Sequence, residues 1–195
     1  MENAPILMED AGYGLRKLTI EDANAKYLNW IADSDVNCFL TVGKFPPSLE
    51  DLKRYISGFE GSTSAIAFAI IDTENGLHIG NTTINAINWI SGTADLGMMI
   101  GDKRYLGRGC AYIVWSMIIR YAFEVLGLRR LYIGILEGNE ECLDAARRLS
   151  LVEEGRWRQH SLVKGAYQDE IWFGVLRDDL PGLQFHNRHQ GNGNG

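Results

Sequence analysis

Residues 104–111 read Arg104-Tyr105-Leu106-Gly107-Arg108-Gly109-Cys110-Ala111. A strand-like run, Ala94-Asp95-Leu96-Gly97-Met98-Met99-Ile100, precedes them. After them Val114, Met117, Ile118, Tyr121, Ala122 and Val125 recur at the spacing of an apolar helix face, and Gly127 is placed to end that helix. A strand followed by a glycine loop that opens a helix leaves backbone N–H groups unpaired at the positive end of the helix dipole, which favours a phosphate. Here those groups belong to Arg108, Gly109, Cys110 and Ala111. Glycine at 107 and 109 removes the Cβ atoms that would hold a diphosphate off the backbone. The spacing is neither of two common phosphate loops. Gly-x-x-x-x-Gly-Lys is absent, and Tyr112 stands where a dinucleotide fold would place a third glycine. Taken alone, the loop also admits the lesser reading of a tight turn that caps a helix.

Outward from the loop, the chain alternates between the two periodicities. Leu15–Leu18 is a short strand, and Thr19 with Asp22 reads as a helix start ahead of Tyr27, Trp30 and Ile31. Ser48 opens a second helix with Leu52, Tyr55, Ile56 and Phe59 on one face. Two β-rich runs, 65–71 and 79–89, flank the turn Asp72-Thr73-Glu74-Asn75-Gly76, and 94–100 continues the meander. Past the loop helix come a strand at 130–136, a helix at 140–149, and a hairpin of 160–163 with 171–176. The expected fold is α+β, a mixed, mostly antiparallel twisted sheet of about seven strands flanked by about four helices. Residues 1–14 read as an N-terminal segment, 15–182 as one domain, and 183–195, which lack apolar content, as a disordered tail.

A chain of 195 residues with 46% hydrophobic content suits one domain, and its net charge of −6 argues against nucleic acid as a partner. Cys38, Cys110 and Cys142 are odd in number and widely spaced, which fits neither a disulfide framework nor a zinc site and suggests a cytoplasmic protein. The N-terminus lacks the pattern of a secretory signal, and no apolar run reaches the ~18 residues of a membrane span. No metal-binding spacing occurs, so no metal is expected.

Arg104-x-x-Gly107-x-Gly109-Cys110-Ala111 resembles the acyl-CoA signature of the GNAT superfamily of N-acetyltransferases. The neighbours agree: 94–100 is similar to the family's central bulged strand. Asn139-x-x-Cys142 with Ala145-x-x-Arg148-Leu149-Ser150-Leu151 resembles its Asn-x-x-Ser…Lys-Leu-Gly-Phe helix. The similarity runs from about Leu15 to Leu176. Leu28-Asn29-Trp30-Ile31-Ala32-Asp33-Ser34-Asp35-Val36-Asn37, which resembles a Trp-Leu-x-Asp-x-Glu-Val motif, and the strand Asp169–Leu176 bring it nearest to the ribosomal-protein N-terminal acetyltransferase-like subgroup.

That resemblance implies direct transfer of an acetyl group from acetyl-CoA to a primary amine: a protein N-terminus, a nucleotide-linked amino sugar or another small amine. It implies CoA contacts from Met98, Met99, Ile100, Arg104, Gly107, Arg108, Gly109, Cys110, Ala111 and Asn139, with strands splayed near residues 97 and 135. Asp95 stands where relatives place a catalytic base, and Cys142 where a serine lies near the thioester sulfur. Relatives often carry a tyrosine acid on the last helix, and the matching position here is Ala146. By that resemblance Trp30, Asp33, Asp35, Phe39, Trp89, Tyr167 and Asp169 fall on segments that wall the acceptor side. Arg147 and Arg148 are candidates for a phosphate. Relatives occur as monomers or homodimers. A non-catalytic CoA-binding module is the alternative, motivated by the missing tyrosine.

Overall fold

A computed structural model describes residues 4–40 and 48–180. The tail assigned to 183–195 lies outside the described residues. Eight strands form one sheet: β1 (Ile6–Asp10), β2 (Tyr13–Lys17), β3 (Ile66–Asp72), β4 (Leu77–Asn88), β5 (Thr93–Ile100), β6 (Arg130–Leu136), β7 (Val152–Val163) and β8 (Ala166–Leu176). The spatial order is β1-β2-β3-β4-β5-β6-β8-β7. Every pair is antiparallel except β5 with β6. The helices are α1 (Ala25–Ala32), α2 (Ser34–Asn37), α3 (Leu49–Ser57), α4 (Cys110–Arg120) and α5 (Glu140–Arg148).

Strand alternation divides the core in two. On one face Leu96, Ile100, Ile133, Ile135, Ile171 and Phe173 pack with α4 and α5 around Trp115 and Ile118. On the other, Ala67, Ala69, Ile71 and Met99 pack with Tyr27, Trp30, Ile31 from α1 and Leu52, Ile56 from α3. α4 carries apolar residues nearly all round because the sheet and α5 both cover it; eight of its eleven residues are buried. It runs into one π-helical turn at Tyr121–Val125, and Gly127, with φ of +69°, ends it as the sequence suggests.

Four features differ from the sequence-based expectation. The segment 1–14 contributes β1, whose ILMED pattern buries only Met8, too little for periodicity to register. β7 begins at Val152, not near His160, because residues 152–160 are all exposed on an edge strand. The capping box of Thr19 and Asp22 opens a single 3-10 turn, and α1 starts at Ala25, where the Asn24 side chain accepts the Lys26 and Tyr27 amides. The bulge lies on β4, not on 94–100. The register slips between Asn85 and Asn88, with Ala86 at φ of +48°, whereas β5 pairs without a slip from Asp95 to Ile100.

Candidate active site

β5 and β6 run side by side only from Thr93–Asp95 against Arg130–Tyr132, and their pairing then stops although both strands continue. The edges of Gly97–Ile100 and Ile133–Leu136 are left facing each other, as expected near residues 97 and 135. A cavity of about 260 Å³ occupies this divergence. Met98 and Asn139 line it together with Asp95 and Cys142, so four of the sequence candidates converge there. Met99 and Ile100 do not line it by their side chains, which enter the two core clusters.

The glycine loop lies at the head of α4. Gly107 and Gly109 have φ of +71° and +74°, a left-handed geometry that glycine adopts without a steric cost, and Gly109 is the N-cap of α4. A Cβ on Gly107 would meet nothing within 4 Å, so the loop's outer side is open. The first N–H groups of α4 have no partner within the helix. Arg108 sits over the Tyr105 ring at 5.8 Å, and Arg148 from α5 lies over Tyr112 at 4.2 Å with its Nη1 3.8 Å from the Cβ position of Gly109. Arg148, which also pairs with Asp144 at 3.8 Å, thus brings a guanidinium beside the loop, whereas Arg147 turns toward Glu140 at 4.0 Å. Arg104 is held by Asp102 through Nε at 2.9 Å and Nη2 at 2.6 Å. Cys110 is buried and its thiol is pushed up to about 12, so only its backbone faces the anion position.

At the other end of the divergence, burial and then the charge of Glu170 push the Asp95 carboxyl up to about 6. The Glu170 carboxylate lies over Gly134, where any Cβ would collide with it, and it shares the cavity wall with Asp95. Glu170 is the residue that sequence reading missed in favour of its neighbour Asp169. Alternation along β8 carried the signal: Ile171, Phe173 and Val175 are buried against the helices, so Glu170 and Trp172 must face the opposite side. Trp172 packs in tilted contact with Trp157 at 4.5 Å and Tyr132 at 6.0 Å between ring centres, and His160 Nε2 stands 3.8 Å from Glu170. Together they put aromatic faces beside two carboxylates, a surface suited to a cation.

Of the acceptor-side candidates Phe39 lines the cavity, whereas Trp30, Asp33, Asp35, Trp89, Tyr167 and Asp169 do not. Trp30 is 7% exposed and its ring lies on Gly101 and 5.1 Å from His78, which makes it a core residue. Asp33 caps α2 and pairs with Lys103 at 2.7 Å. Trp89 lies on the surface and donates to the Thr63 carbonyl at 2.6 Å. Asp169 accepts the Gln159 amide at 2.8 Å and pairs with Arg156 at 3.2 Å. Ser161, Leu162 and Val163 line the cavity beside Phe39.

Asn139 caps α5 by accepting the Cys142 amide at 3.3 Å. Burial and then the charge of Glu141 push the Cys142 thiol up to about 12. So weak an acid is suited to offering a hydrogen bond rather than a proton. Among the described residues there is no metal-ligand cluster and no helix long and apolar enough to cross a membrane.

The architecture and sequence both have relatives. The "Uncharacterized N-acetyltransferase p20" of Bacillus licheniformis is 27% identical over 170 residues, 86% of this chain and 94% of that protein. The "Putative ribosomal N-acetyltransferase YdaF" of Bacillus subtilis is 25% identical over 69% of each chain. The spermidine N-acetyltransferase of Vibrio cholerae, solved with CoA and spermine, superposes with a TM-score of 0.78 at 20% identity, over 87% of this chain and 98% of that one. At that identity the likeness is one of fold. The acetyltransferase (GNAT) domain family matches residues 13–152, well over half of the chain, and the protein belongs to that family.

Proposed function

We propose that the protein transfers the acetyl group of acetyl-CoA directly to a primary amine, with Asp95 as the proton acceptor. The observation that carries this reading is the place of Asp95: at the point where β5 and β6 part, beside Glu170, with a carboxyl pushed up to about 6. The diphosphate of CoA binds the N–H groups of Arg108, Gly109, Cys110 and Ala111, with Arg148 beside it. The pantetheine arm follows the open edge of Met98–Ile100 past Asn139. Solved relatives of this fold hold CoA, which supports the donor assignment.

The amine enters from the face of Glu170 and Trp172 as an ammonium and loses its proton to Asp95, directly or through water. A carboxylate that titrates near 6 takes a proton from an α-amine (about 7.8) more readily than an ordinary carboxylate does. The nitrogen lone pair then attacks the thioester carbonyl, the C–N bond forms and the C–S bond breaks. Cys142 donates a hydrogen bond to the departing thiolate, whose proton comes from the nitrogen or from water. The acceptor is a protein N-terminus, an amino sugar carried on a nucleotide, or another small amine, and the two carboxylates favour one that arrives cationic. The three free thiols suit a cytoplasmic enzyme.

Isothermal titration with acetyl-CoA tests the donor half of the proposal. Wild type binds at micromolar levels, and Gly107→Val with Gly109→Val abolishes binding. Equal binding by wild type and this variant would sink the loop assignment.

A further inference from the structure

Trp115 is 1% exposed, lies on α4 at the wall of the cavity, and its indole N–H finds no acceptor among the described residues. A buried donor left unpaired is costly, and a well-packed fold rarely keeps one without a use. Of the cavity-lining residues in or against the core cluster of Trp115, Leu96, Ile133 and Ile135 have no side-chain acceptor, and Met98 and Cys142 offer only weakly accepting sulfur. α4 is also the helix whose first N–H groups form the anion site. Trp115 follows the Gly109 cap by six residues, about 9 Å along the axis at 1.5 Å per residue.

We propose that Trp115 is a positioning residue for the acyl donor: its indole N–H donates to an amide carbonyl of the pantetheine arm. This rests on the reading that CoA occupies the loop and the divergence. Reach selects the amides over the thioester. An extended chain spans about 3.5 Å per three bonds. The two amide carbonyl carbons follow the phosphorus by five and nine bonds, about 6 and 11 Å, and the sulfur by thirteen, about 15 Å. An indole on the second turn of α4 falls level with the amides. The hydrogen bond fixes the depth of the arm, and hence the height at which the thioester meets Asp95. Trp115 touches none of the reacting atoms.

The test is an NMR titration of the folded full-length chain, following the Trp115 indole proton and the Gly109 and Ala111 amides, with ADP, CoA and acetyl-CoA as probes. ADP moves the loop amides only. CoA and acetyl-CoA move the loop amides and shift the Trp115 indole proton downfield by the same amount. In parallel, Trp115→Phe, which keeps an aromatic ring without the N–H, weakens CoA and acetyl-CoA alike, by about fivefold, and leaves ADP binding unchanged. Loop amides that respond to CoA while the indole proton stays fixed would overturn the role of Trp115 and leave the CoA reading standing. Loop amides that ignore all three probes would overturn both. A downfield shift with acetyl-CoA and not with CoA would place the bond on the thioester and refute the amide assignment.

Discussion

The Glu141 carboxylate accepts the Gly107 amide at 3.0 Å, and its second oxygen is buried with no partner among the described residues. A carboxylate of the chain itself therefore borders the Arg108, Gly109, Cys110 and Ala111 N–H groups proposed for the CoA diphosphate. Two anions so placed repel each other. Glu141→Gln removes the repulsion, so CoA is expected to bind about fivefold more tightly by calorimetry. Unchanged or weaker binding would contradict the repulsion.

Asp95 gives a prediction in pH. As the proposed proton acceptor it acts in its deprotonated form, so kcat/KM is expected to rise through an apparent pKa near 6, and Asp95→Asn to remove that limb and about a hundredfold or more of the rate. Stability moves the opposite way. The folded pKa lies above the unfolded value, so the stabilising contribution is complete below the unfolded pKa and is lost as pH rises through about 6. Asp95→Asn, always neutral, should melt above wild type at pH 8 and close to it below about pH 4. A lower Tm for the variant at pH 8 would refute the burial of this carboxyl.

Ser150 tests a local departure from the family pattern. The sequence resemblance places glycine there in relatives, and the structure shows why: Ser150 has φ of +57°, just beyond the end of α5. A side chain in the left-handed region costs about 1–2 kcal/mol. Ser150→Gly is expected to raise stability by about 1 kcal/mol in denaturant unfolding, without change in CoA affinity.

Arg16 and Asp22 form an ion pair at 2.6 Å with side chains 8% and 7% exposed, tying β2 to the turn before α1. Burial opposes the charge on Asp22, but hydrogen bonds from Arg16 and the Thr19 amide prevail and hold its carboxyl below the usual range. The pair is therefore in force above the unfolded pKa and fails as pH falls through the folded one. Asp22→Asn leaves a buried guanidinium without its counter-charge and should cost about 3–5 kcal/mol, read as a lower denaturation midpoint at neutral pH.

The sequence disclosed those parts of the protein that rest on spacing. The α4 stripe, the β3–β4–β5 meander and the Gly107-x-Gly109 loop each follow from a local period or a positive φ. The miscast parts depend on which way a side chain faces. Asp169 and Glu170 are adjacent carboxylates on one strand, and only the parity set by Ile171 and Phe173 sends Glu170 into the cavity. Trp30 looked like an acceptor platform because tryptophan suits both a core and a ligand wall, and its contact with Gly101 is visible only in three dimensions. β1 and the first half of β7 escaped because edge strands exposed on both faces show little alternation. Arg148 was flagged for a phosphate, but what distinguishes it from Arg147 is its stacking on Tyr112.

The central claim is that Asp95 and Glu170 serve an acetyl transfer at the parting of β5 and β6. It is met most directly by incubating the protein with acetyl-CoA and a panel of primary amines (peptide N-termini, polyamines, amino sugars), measuring thiol release and acetylated product together. Wild type should release one thiol per acetylated amine with at least one acceptor class, and Asp95→Asn should bind acetyl-CoA normally yet turn over about a hundredfold more slowly. Acetyl-CoA bound by wild type with no thiol released to any amine, or full turnover by Asp95→Asn, would contradict it.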